Sequence, residues 1–296
     1  MPDITIDGAF VDALKDVTYV LHIASPLPSP VSLFDIILYS SGSIGFLTDI
    51  CQDADPETGI VRPAVQGTTS ILKSAANVPS VRRVVITSSI VALIPHDQLS
   101  NGDITTVYTR ESRVRPLPMG PYQSPVEGYR ASKALALDAA EKFQREVKPG
   151  FSIVHVMPGY VFGANELVSD AASVSSGSNA IFMSMLGTEE LDPTFGAVVH
   201  LDDVSRIHVG ALDEEKVPAG ANFITAIPVK FEHTLDIVKR LFPEAVEDGR
   251  LPFIGRQTMP LTIDIQATVD AFGPLKGYEE MVKSVVGQYL RLLANK

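Results

Sequence analysis

Short apolar runs alternate along the chain with longer segments in which apolar residues recur at helical spacing. The runs are rich in β-branched residues, as in buried parallel strands, and cover Val17–Pro26, Val81–Ser89 and Phe151–Met157. Helical spacing covers Ile60–Ala76 and the segment from Tyr129 to about Val147. Because parallel strands need crossover helices, this order predicts an α/β fold built on a parallel sheet.

The other segments follow the alternation less strictly. We predict a short N-terminal helix at Asp7–Asp16, a long loop at 94–128, and a mobile or ligand-ordered segment at Asp170–Asn179. Further helices and strands are predicted at Ala180–Leu186, Ala197–Leu201, Asp203–Leu212, Ala221–Ala226, Phe231–Leu241 and Tyr278–Leu293.

Charge and cysteine content argue against several classes of protein. The 296 residues carry a net charge of −11 with a pI near 5.0, so we expect neither nucleic acid nor an anionic membrane as a partner. Cys51 is the single cysteine, which rules out an internal disulfide. The six His show no metal-ligand spacing, and we expect no metal site.

No targeting or membrane-spanning segment is expected. Residues Met1–Gly8 have neither a basic start nor an apolar run, so we predict no signal peptide. The most apolar long stretch, Val31–Leu47, carries Asp35 and a Ser/Gly cluster and is a poor transmembrane candidate. We therefore expect a soluble, cytoplasmic protein.

The segment Tyr129–Lys133 carries the first candidate chemistry. A spacing of four residues puts Tyr129 and Lys133 on one helix face, one turn apart. A phenol has a pKa of about 10, and a nearby ammonium lowers it, so the pair can donate a proton to a carbonyl oxygen. With eight Tyr in the chain, chance supplies such a pair about 0.3 times, so the motif needs support from elsewhere.

Two strand ends supply that support. One predicted strand ends in Thr87–Ser89 and another at Pro158–Gly163, and the carboxyl ends of parallel strands meet at the sheet edge where α/β proteins bind ligands. The joint pattern resembles the extended short-chain dehydrogenase/reductase family, in the subgroup of dihydroflavonol reductases, cinnamoyl-CoA reductases and fungal ketone and aldehyde reductases. Segments that also fit the subgroup are His22–Pro26, Pro63–Thr68 and Val199–Val204.

The resemblance implies a Rossmann-like, doubly wound parallel sheet with a small C-terminal substrate-binding domain. It implies a reductase of a hydrophobic ketone or aldehyde, such as an intermediate of secondary metabolism, that uses NADP or NAD. Tyr129 would protonate the nascent alkoxide, and Lys133 would hydrogen-bond the nicotinamide ribose and lower the pKa of Tyr129. Ser89 would polarise the substrate carbonyl.

Further contacts are implied by position. Besides Tyr129 and Lys133, the residues implied near the nicotinamide are Pro158, Gly159, Val161 and Ser178. The residues implied to contact the adenine half of the cofactor and the phosphates are Ala24, Ser25 and Asp3. The substrate pocket would be lined by apolar and aromatic side chains, namely Ile90, Leu93, Tyr122, Tyr160 and Phe182.

By the same resemblance the chain divides into two domains. Residues 1–163 and about 197–230 form an incomplete dinucleotide-binding domain, and about 164–196 and 231–296 form the substrate domain. The first domain is incomplete because the family's opening βαβ unit, with the TGxxGxxG loop that binds the pyrophosphate, has no counterpart. We therefore expect uncovered apolar surface at the sheet edge, and weak or absent cofactor binding by this chain.

Residues 31–52 interrupt a place where the family passes directly from strand to helix. Gly42–Thr48 matches part of a glycine-rich nucleotide loop, but we favour a flexible insertion. Val codons begin with GT and one Gln codon is CAG, which are the borders of a spliceosomal intron. We therefore interpret Val31–Gln52 as an intron read in frame.

Two alternatives to the reductase stay open. Leu93 replaces the Asn of plant dihydroflavonol reductases, and the Asn-Trp-Tyr-Cys-Tyr signature of cinnamoyl-CoA reductases is absent around Tyr129, so neither of those activities is expected. One alternative is a nucleotide-sugar epimerase or dehydratase, although basic groups for a diphosphate are few between Gly163 and Lys230. The other is an inactive remnant, or a protein that binds a partner through its uncovered sheet edge.

Overall fold

The computed structural model of the chain describes residues 3–27, 55–187 and 191–294, so the proposed insertion at 31–52 lies outside the described residues. The strands are β1 (Tyr19–His22), β2 (Arg83–Thr87), β3 (Asp103–Tyr108), β4 (Ser152–Pro158), β5 (Tyr160–Phe162), β6 (Thr194–Phe195), β7 (Ala197–His200), β8 (Asn222–Thr225), β9 (Ile227–Pro228), β10 (Thr258–Met259) and β11 (Leu261–Ile263). The helices are α1 (Arg62–Ala76), α2 (His96–Asn101), α3 (Pro125–Val147), α4 (Asn179–Met183), α5 (Leu201–Gly210), α6 (Thr234–Leu241), α7 (Pro243–Glu247), α8 (Gln266–Phe272) and α9 (Tyr278–Ala294).

The main sheet is parallel, with the order β1-β2-β4-β8 in the described part of the chain. Val85 on β2 lies opposite Leu21 on β1 and Val154 on β4. Because successive side chains of a strand point to opposite faces, Val84 packs with α1 and α3, whereas Val85 packs with α5 and α8. Helices on both faces of a parallel sheet make this a doubly wound α/β arrangement, and the predicted fold class is confirmed.

Strand β1 forms one edge of this sheet. Tyr19 and Leu21 are each 39% exposed and Ile23 is 61% exposed, whereas His22 on the opposite face is 6% exposed. One face of the edge strand is therefore apolar and uncovered among the described residues, in agreement with the expectation from the sequence.

A second hydrophobic core lies beside the sheet. Strand β5 pairs in parallel with β7, and β7 pairs antiparallel with β9. Helices α4, α6 and α9 contribute Phe182, Val238 and Val285 to a core that also contains Phe162 and Phe231. This separate core supports the division into two domains, which stays a prediction.

The predicted N-terminal helix is wrong. Residues 7–16 form successive turns, with hydrogen bonds such as Ala9 N to Ile6 O at 3.1 Å. Gly8 has a φ of +84°, which lies outside the right-handed helical region and interrupts the helix. The segment still buries Phe10 and Leu14 in the core that contains Val84, whereas Val11 is 45% exposed.

The long segment 94–128 and the Ser-rich segment 170–179 are also more ordered than predicted. The first contains α2 and β3, and β3 pairs with β11 more than a hundred residues further along the chain, so no local pattern signals it. The second contains a 3₁₀ turn at Ala172–Val174, with Val174 fully buried. Long-range packing orders both segments.

Neither a membrane span nor a metal cluster is found in residues 3–27, 55–187 and 191–294. Each helix there is too short or too polar to cross a lipid bilayer. The His, Asp and Glu side chains of these ranges form no group of three or more that could hold a metal ion.

Close packing at Gly196 generates a prediction about stability. An added Cβ at Gly196 would lie 2.2 Å from Val229 O and 2.6 Å from Thr258 Cγ2, whereas at Gly287, inside α9, it would meet nothing within 4 Å. We expect Gly196→Ala to lower the free energy of unfolding by about 3 kcal/mol. Gly287→Ala is expected to raise it by about 0.5–1 kcal/mol, because helix propensity improves. Urea-unfolding midpoints test both, and a Gly196→Ala variant as stable as the parent would contradict the packing.

Candidate active site

Helix α3 carries Tyr129 and Lys133, and local hydrogen bonds fix its start. The Ser124 hydroxyl accepts a hydrogen bond from Glu127 N at 3.2 Å, and the Glu127 carboxylate accepts one from Gln123 N at 2.7 Å. The first bond caps the helix at Ser124, and the second ties Glu127 to the residue before the cap. They determine where the helix begins and therefore which of its faces meets the sheet.

Tyr129 packs at the edge of a hydrophobic cluster that includes Leu93 and Tyr160. Burial raises the pKa of Tyr129 to about 12, and the Ser89 hydroxyl opposes part of the rise. The Lys133 ammonium lies 5.5 Å from the centre of the Tyr129 ring, but it does not reverse the shift. The predicted lowering of the Tyr129 pKa is wrong for this structure, because loss of hydration outweighs the neighbouring charge.

Lys133 is 6% exposed, and its ammonium makes no hydrogen bond to any described residue. Burial lowers the pKa of Lys133 to about 8, so the group is still mostly cationic at pH 7. An ammonium has three donors and no acceptor. Lys133 therefore offers unused donors to a ligand that carries hydroxyl groups.

Ser89 follows β2 and begins the 3₁₀ turn Ile90–Ala92. Its hydroxyl accepts a hydrogen bond from Val91 N and donates one to Pro158 O, each at 3.4 Å. Both bonds are long, so they are weak. The Ser89 hydroxyl is thus held at the end of β2, close to the end of β4, and can reorient toward another acceptor.

A small cleft, with a cavity volume of about 20 Å³, opens beside Lys133 at the carboxyl ends of β1 and β2. Of the predicted cofactor residues, Ala24, Ser25 and Lys133 line this cleft. Burial, together with the positive charge of Lys133, lowers the pKa of His22 to about 4, so its ring is neutral at pH 7. Small side chains and a buried cation suit ribose and phosphate groups.

Four further polar residues line the cleft and were not predicted as site residues, namely Thr68, Thr87, Ser88 and His155. Thr87 and Ser88 stand at the end of β2, and the strand-end rule that selected Ser89 would have indicated them as well. His155 lies inside β4, where a single polar residue in an apolar run gives no functional signal.

The remaining predicted cofactor residues do not line this cleft. Asp3 is exposed and accepts hydrogen bonds from Thr5 N at 2.8 Å and from Thr5 Oγ1 at 2.7 Å. Pro158, Gly159, Val161 and Ser178 follow one another at and beyond the end of β4, where β5 and α4 begin. A Cβ at Gly159 would lie 2.3 Å from Ala197 O, so packing alone explains that glycine. The cofactor roles of these five residues stay predictions.

The predicted substrate pocket is assembled only in part. Ile90 and Leu93 share a cluster with Tyr129 and Tyr160. Tyr122 packs instead with Val61 and Ala131, on a different side of α3, which corrects the prediction. The reason is that Ala131 and Tyr129 are two positions apart on a helix and face different directions. Phe182 packs edge-on against Phe162 in the second core, which Tyr160 also contacts.

Comparisons with known proteins agree with this arrangement. No protein-family model matches the chain. A ketoreductase (CTB6) of Cercospora nicotianae is 31% identical over 302 residues, which cover 98% of this chain and 78% of the relative. A protein of Alternaria alternata named as an NAD-dependent epimerase/dehydratase (ALT6) is 31% identical over 314 residues, covering 99% of this chain and 81% of the relative.

A solved structure shows the same fold. The yeast methylglyoxal/isovaleraldehyde reductase Gre2, complexed with NADPH, superposes with a TM-score of 0.78 at 25% identity, covering 100% of this chain and 84% of that protein. The chain belongs to the extended short-chain dehydrogenase/reductase family. The predicted family, the Rossmann-like fold and the class of NAD(P)-dependent oxidoreductase are confirmed.

The buried His155 generates a prediction about pH. Its Nδ1 lies 3.0 Å from Asn222 Oδ1, and burial lowers the pKa of His155 to about 4. Because the folded pKa lies below the unfolded value of about 6.5, the unfolded chain binds the proton first as the pH falls. His155 therefore contributes stability above pH 6.5 that is lost toward pH 4.

We expect this single group to remove about 2 kcal/mol of unfolding free energy between pH 7.5 and pH 5. In the His155→Gln variant the drop between the two pH values should be smaller by that amount, whatever its stability at pH 7.5. The exposed His233, replaced by Gln, is the control and should leave the drop unchanged. Equal drops in the parent and in His155→Gln, measured by urea unfolding, would refute a neutral buried His155.

Proposed function

We propose that the protein is an NADPH-dependent reductase of hydrophobic ketones or aldehydes. The observation that carries the proposal is the grouping of three side chains. The Lys133 ammonium lies 5.5 Å from the Tyr129 ring on α3, and the Ser89 hydroxyl at the end of β2 acts on the Tyr129 phenol. Membership of a family whose members include named ketoreductases supports it. A cytoplasmic location and a role in secondary metabolism belong to the proposal as well.

The residues around the cleft fit a nicotinamide cofactor. Lys133 has donors that no described residue uses, and a ribose has hydroxyl groups that accept them. Ala24 and Ser25 line the cleft with small side chains, and we assign the phosphate contacts to them. NADPH, when bound, supplies the hydride. The proposed contacts at Asp3, and at the predicted residues from Pro158 to Ser178, complete the set.

Side chains of the protein bind and protonate the carbonyl oxygen of the substrate. Ser89 donates a hydrogen bond to that oxygen and stabilises the negative charge that develops there. Tyr129 then gives its phenolic proton to the oxygen. A pKa of about 12 keeps Tyr129 protonated at neutral pH, so the proton is available when the charge appears. The Lys133 ammonium faces the ring and stabilises the phenolate that the transfer leaves.

The choice of NADPH over NADH follows the solved relative, which was crystallised with NADPH. Thermal-shift titration with each cofactor tests this assignment. A larger midpoint shift with NADH than with NADPH would contradict it.

Substitution of Tyr129 tests the proposed chemistry. We expect Tyr129→Phe to lower kcat by about 10²–10⁴-fold in a screen of aldehydes and ketones that follows NADPH oxidation, because the proton donor is lost. Cofactor binding, followed by thermal shift, should be unchanged. Tyr289→Phe, on α9 and outside the cleft, is the matched control and should keep parental activity. The proposal fails if the folded parent oxidises NADPH with none of the compounds, or if Tyr129→Phe is fully active.

A further inference from the structure

Two arginines converge on Tyr160, beside the proposed proton donor. Arg130 directly follows Tyr129 on α3, and its Nη1 lies 2.8 Å from His96 Nδ1 and 2.9 Å from Ser100 Oγ. Both partners belong to α2. Helix α2 therefore fixes the Arg130 guanidinium. Arg130 is next in sequence to Tyr129, which packs against the same cluster as Tyr160.

Arg256, in the C-terminal half of the chain, also acts on Tyr160 through its charge. Its Nε donates a hydrogen bond to Asp192 O at 2.6 Å, just before β6. Strand β6 pairs with β10, which follows Arg256, and α2 packs against both strands. The Tyr160 hydroxyl lies 3.2 Å from Thr194 Oγ1 on β6. Contacts among α2, β6 and β10 thus bring together the segments that hold Arg130, Arg256 and the Tyr160 hydroxyl.

The charges of both arginines act on the Tyr160 hydroxyl. Burial raises the pKa of Tyr160, and the positive charges of Arg130 and Arg256 oppose the rise. Tyr160 in turn contributes to the raised pKa of Tyr129, after burial and against the Ser89 hydroxyl. The charges of both arginines therefore act on Tyr160, which belongs to the same cluster as Tyr129.

Neither arginine has an acidic partner among the described residues. Arg130 contacts only the imidazole and carbonyl of His96 and the Ser100 hydroxyl, and the Arg256 bond is to a neutral carbonyl. The Asp192 carboxylate acts on Arg256 through its charge, without an ion pair within 4.0 Å in the part of the chain that the structure describes. Burial lowers the pKa of both guanidinium groups, as expected for cations that are only partly compensated.

One donor atom of Arg256 has no acceptor among the described residues. This atom is Nη1, and it is buried. The fully buried Arg83 makes a useful contrast, because its Nε, Nη1 and Nη2 all donate to oxygens of the surrounding chain. A buried donor without an acceptor costs free energy, and an oxygen of a bound ligand would recover that cost.

We propose that Arg130 and Arg256 bind a carboxylate of the substrate, so that the protein reduces carbonyl compounds that carry a carboxylate away from the reacting carbonyl. This inference rests on the proposed reductase function. A carboxylate matches the fork of a guanidinium with two parallel hydrogen bonds and supplies the missing negative charge. The apolar side chains Ile90 and Leu93 would then contact the hydrophobic body between the two polar ends.

A matched pair of substrates tests the assignment. Benzoylpropionate is an aryl ketone that carries a carboxylate, and its methyl ester keeps the same ketone but replaces the carboxylate with a neutral ester. We expect the parent to have a kcat/KM about tenfold higher for the acid than for the ester, through a lower KM. Arg256→Met and Arg130→Met should each lower kcat/KM for the acid by about tenfold and so remove this preference.

Two further variants serve as controls. Arg256→Lys keeps the charge but loses the fork, and should restore part of the preference. The exposed Arg250, paired with Asp248, lies outside the pocket, and Arg250→Met should behave as the parent. Equal kcat/KM values for acid and ester in the parent, or equal losses on both substrates in Arg256→Met, would overturn the carboxylate site while the reductase function stands.

A binding measurement separates this inference from the reductase function. If no carbonyl compound is reduced, the reductase proposal fails, and calorimetric titration of the full chain with benzoylpropionate still decides the site. Binding of the acid to the parent, but not of the ester, and loss of binding in Arg256→Met would support it. Absence of acid binding would overturn it, as would binding of inorganic phosphate without binding of the carboxylate.

Discussion

The arrangement depends on the burial of one face of α3 against the parallel sheet. Leu137 and Ala140 are almost fully buried in the cores beneath the helix, and they set its height and rotation over β2 and β4. This packing carries Lys133 into a nearly dry position beside Tyr129. The cost is electrostatic, because loss of water raises the pKa of Tyr129 and lowers that of Lys133. A ligand with hydroxyl groups that accept the Lys133 donors would recover part of that cost.

The local chemistry could be predicted from the sequence because it depends on local rules. A spacing of four on a helix places Tyr129 and Lys133 together, and the end of a parallel strand places Ser89 near them. Strands β2 and β4 and helices α1, α3 and α9 are found within a few residues of their predicted bounds, since each has a strong apolar pattern and many buried contacts.

What the sequence could not provide depends on distant partners. Strand β3 exists because it pairs with β11. The charges of Arg130 and Arg256 both act on Tyr160, and the contacts of α2 with β6 and β10 bring their segments together. The direction of the Tyr129 pKa shift was also wrong, because spacing reports a neighbouring charge but not the extent of burial. The hydrophobic pocket inferred from Ile90 and Leu93 is therefore only half of the chemistry around the proposed donor, and the other half is cationic.

The central claim is that this chain transfers a hydride to a carbonyl carbon and a proton from Tyr129 to the carbonyl oxygen. Incubation of the full chain with a ketone and NADPH deuterated at the transferred position of the nicotinamide, followed by mass spectrometry of the product, tests it most directly. We predict an alcohol with one deuterium on the former carbonyl carbon, formed by the parent and not by Tyr129→Phe. Oxidation of NADPH without deuterium in the alcohol, or equal product from both proteins, would contradict it.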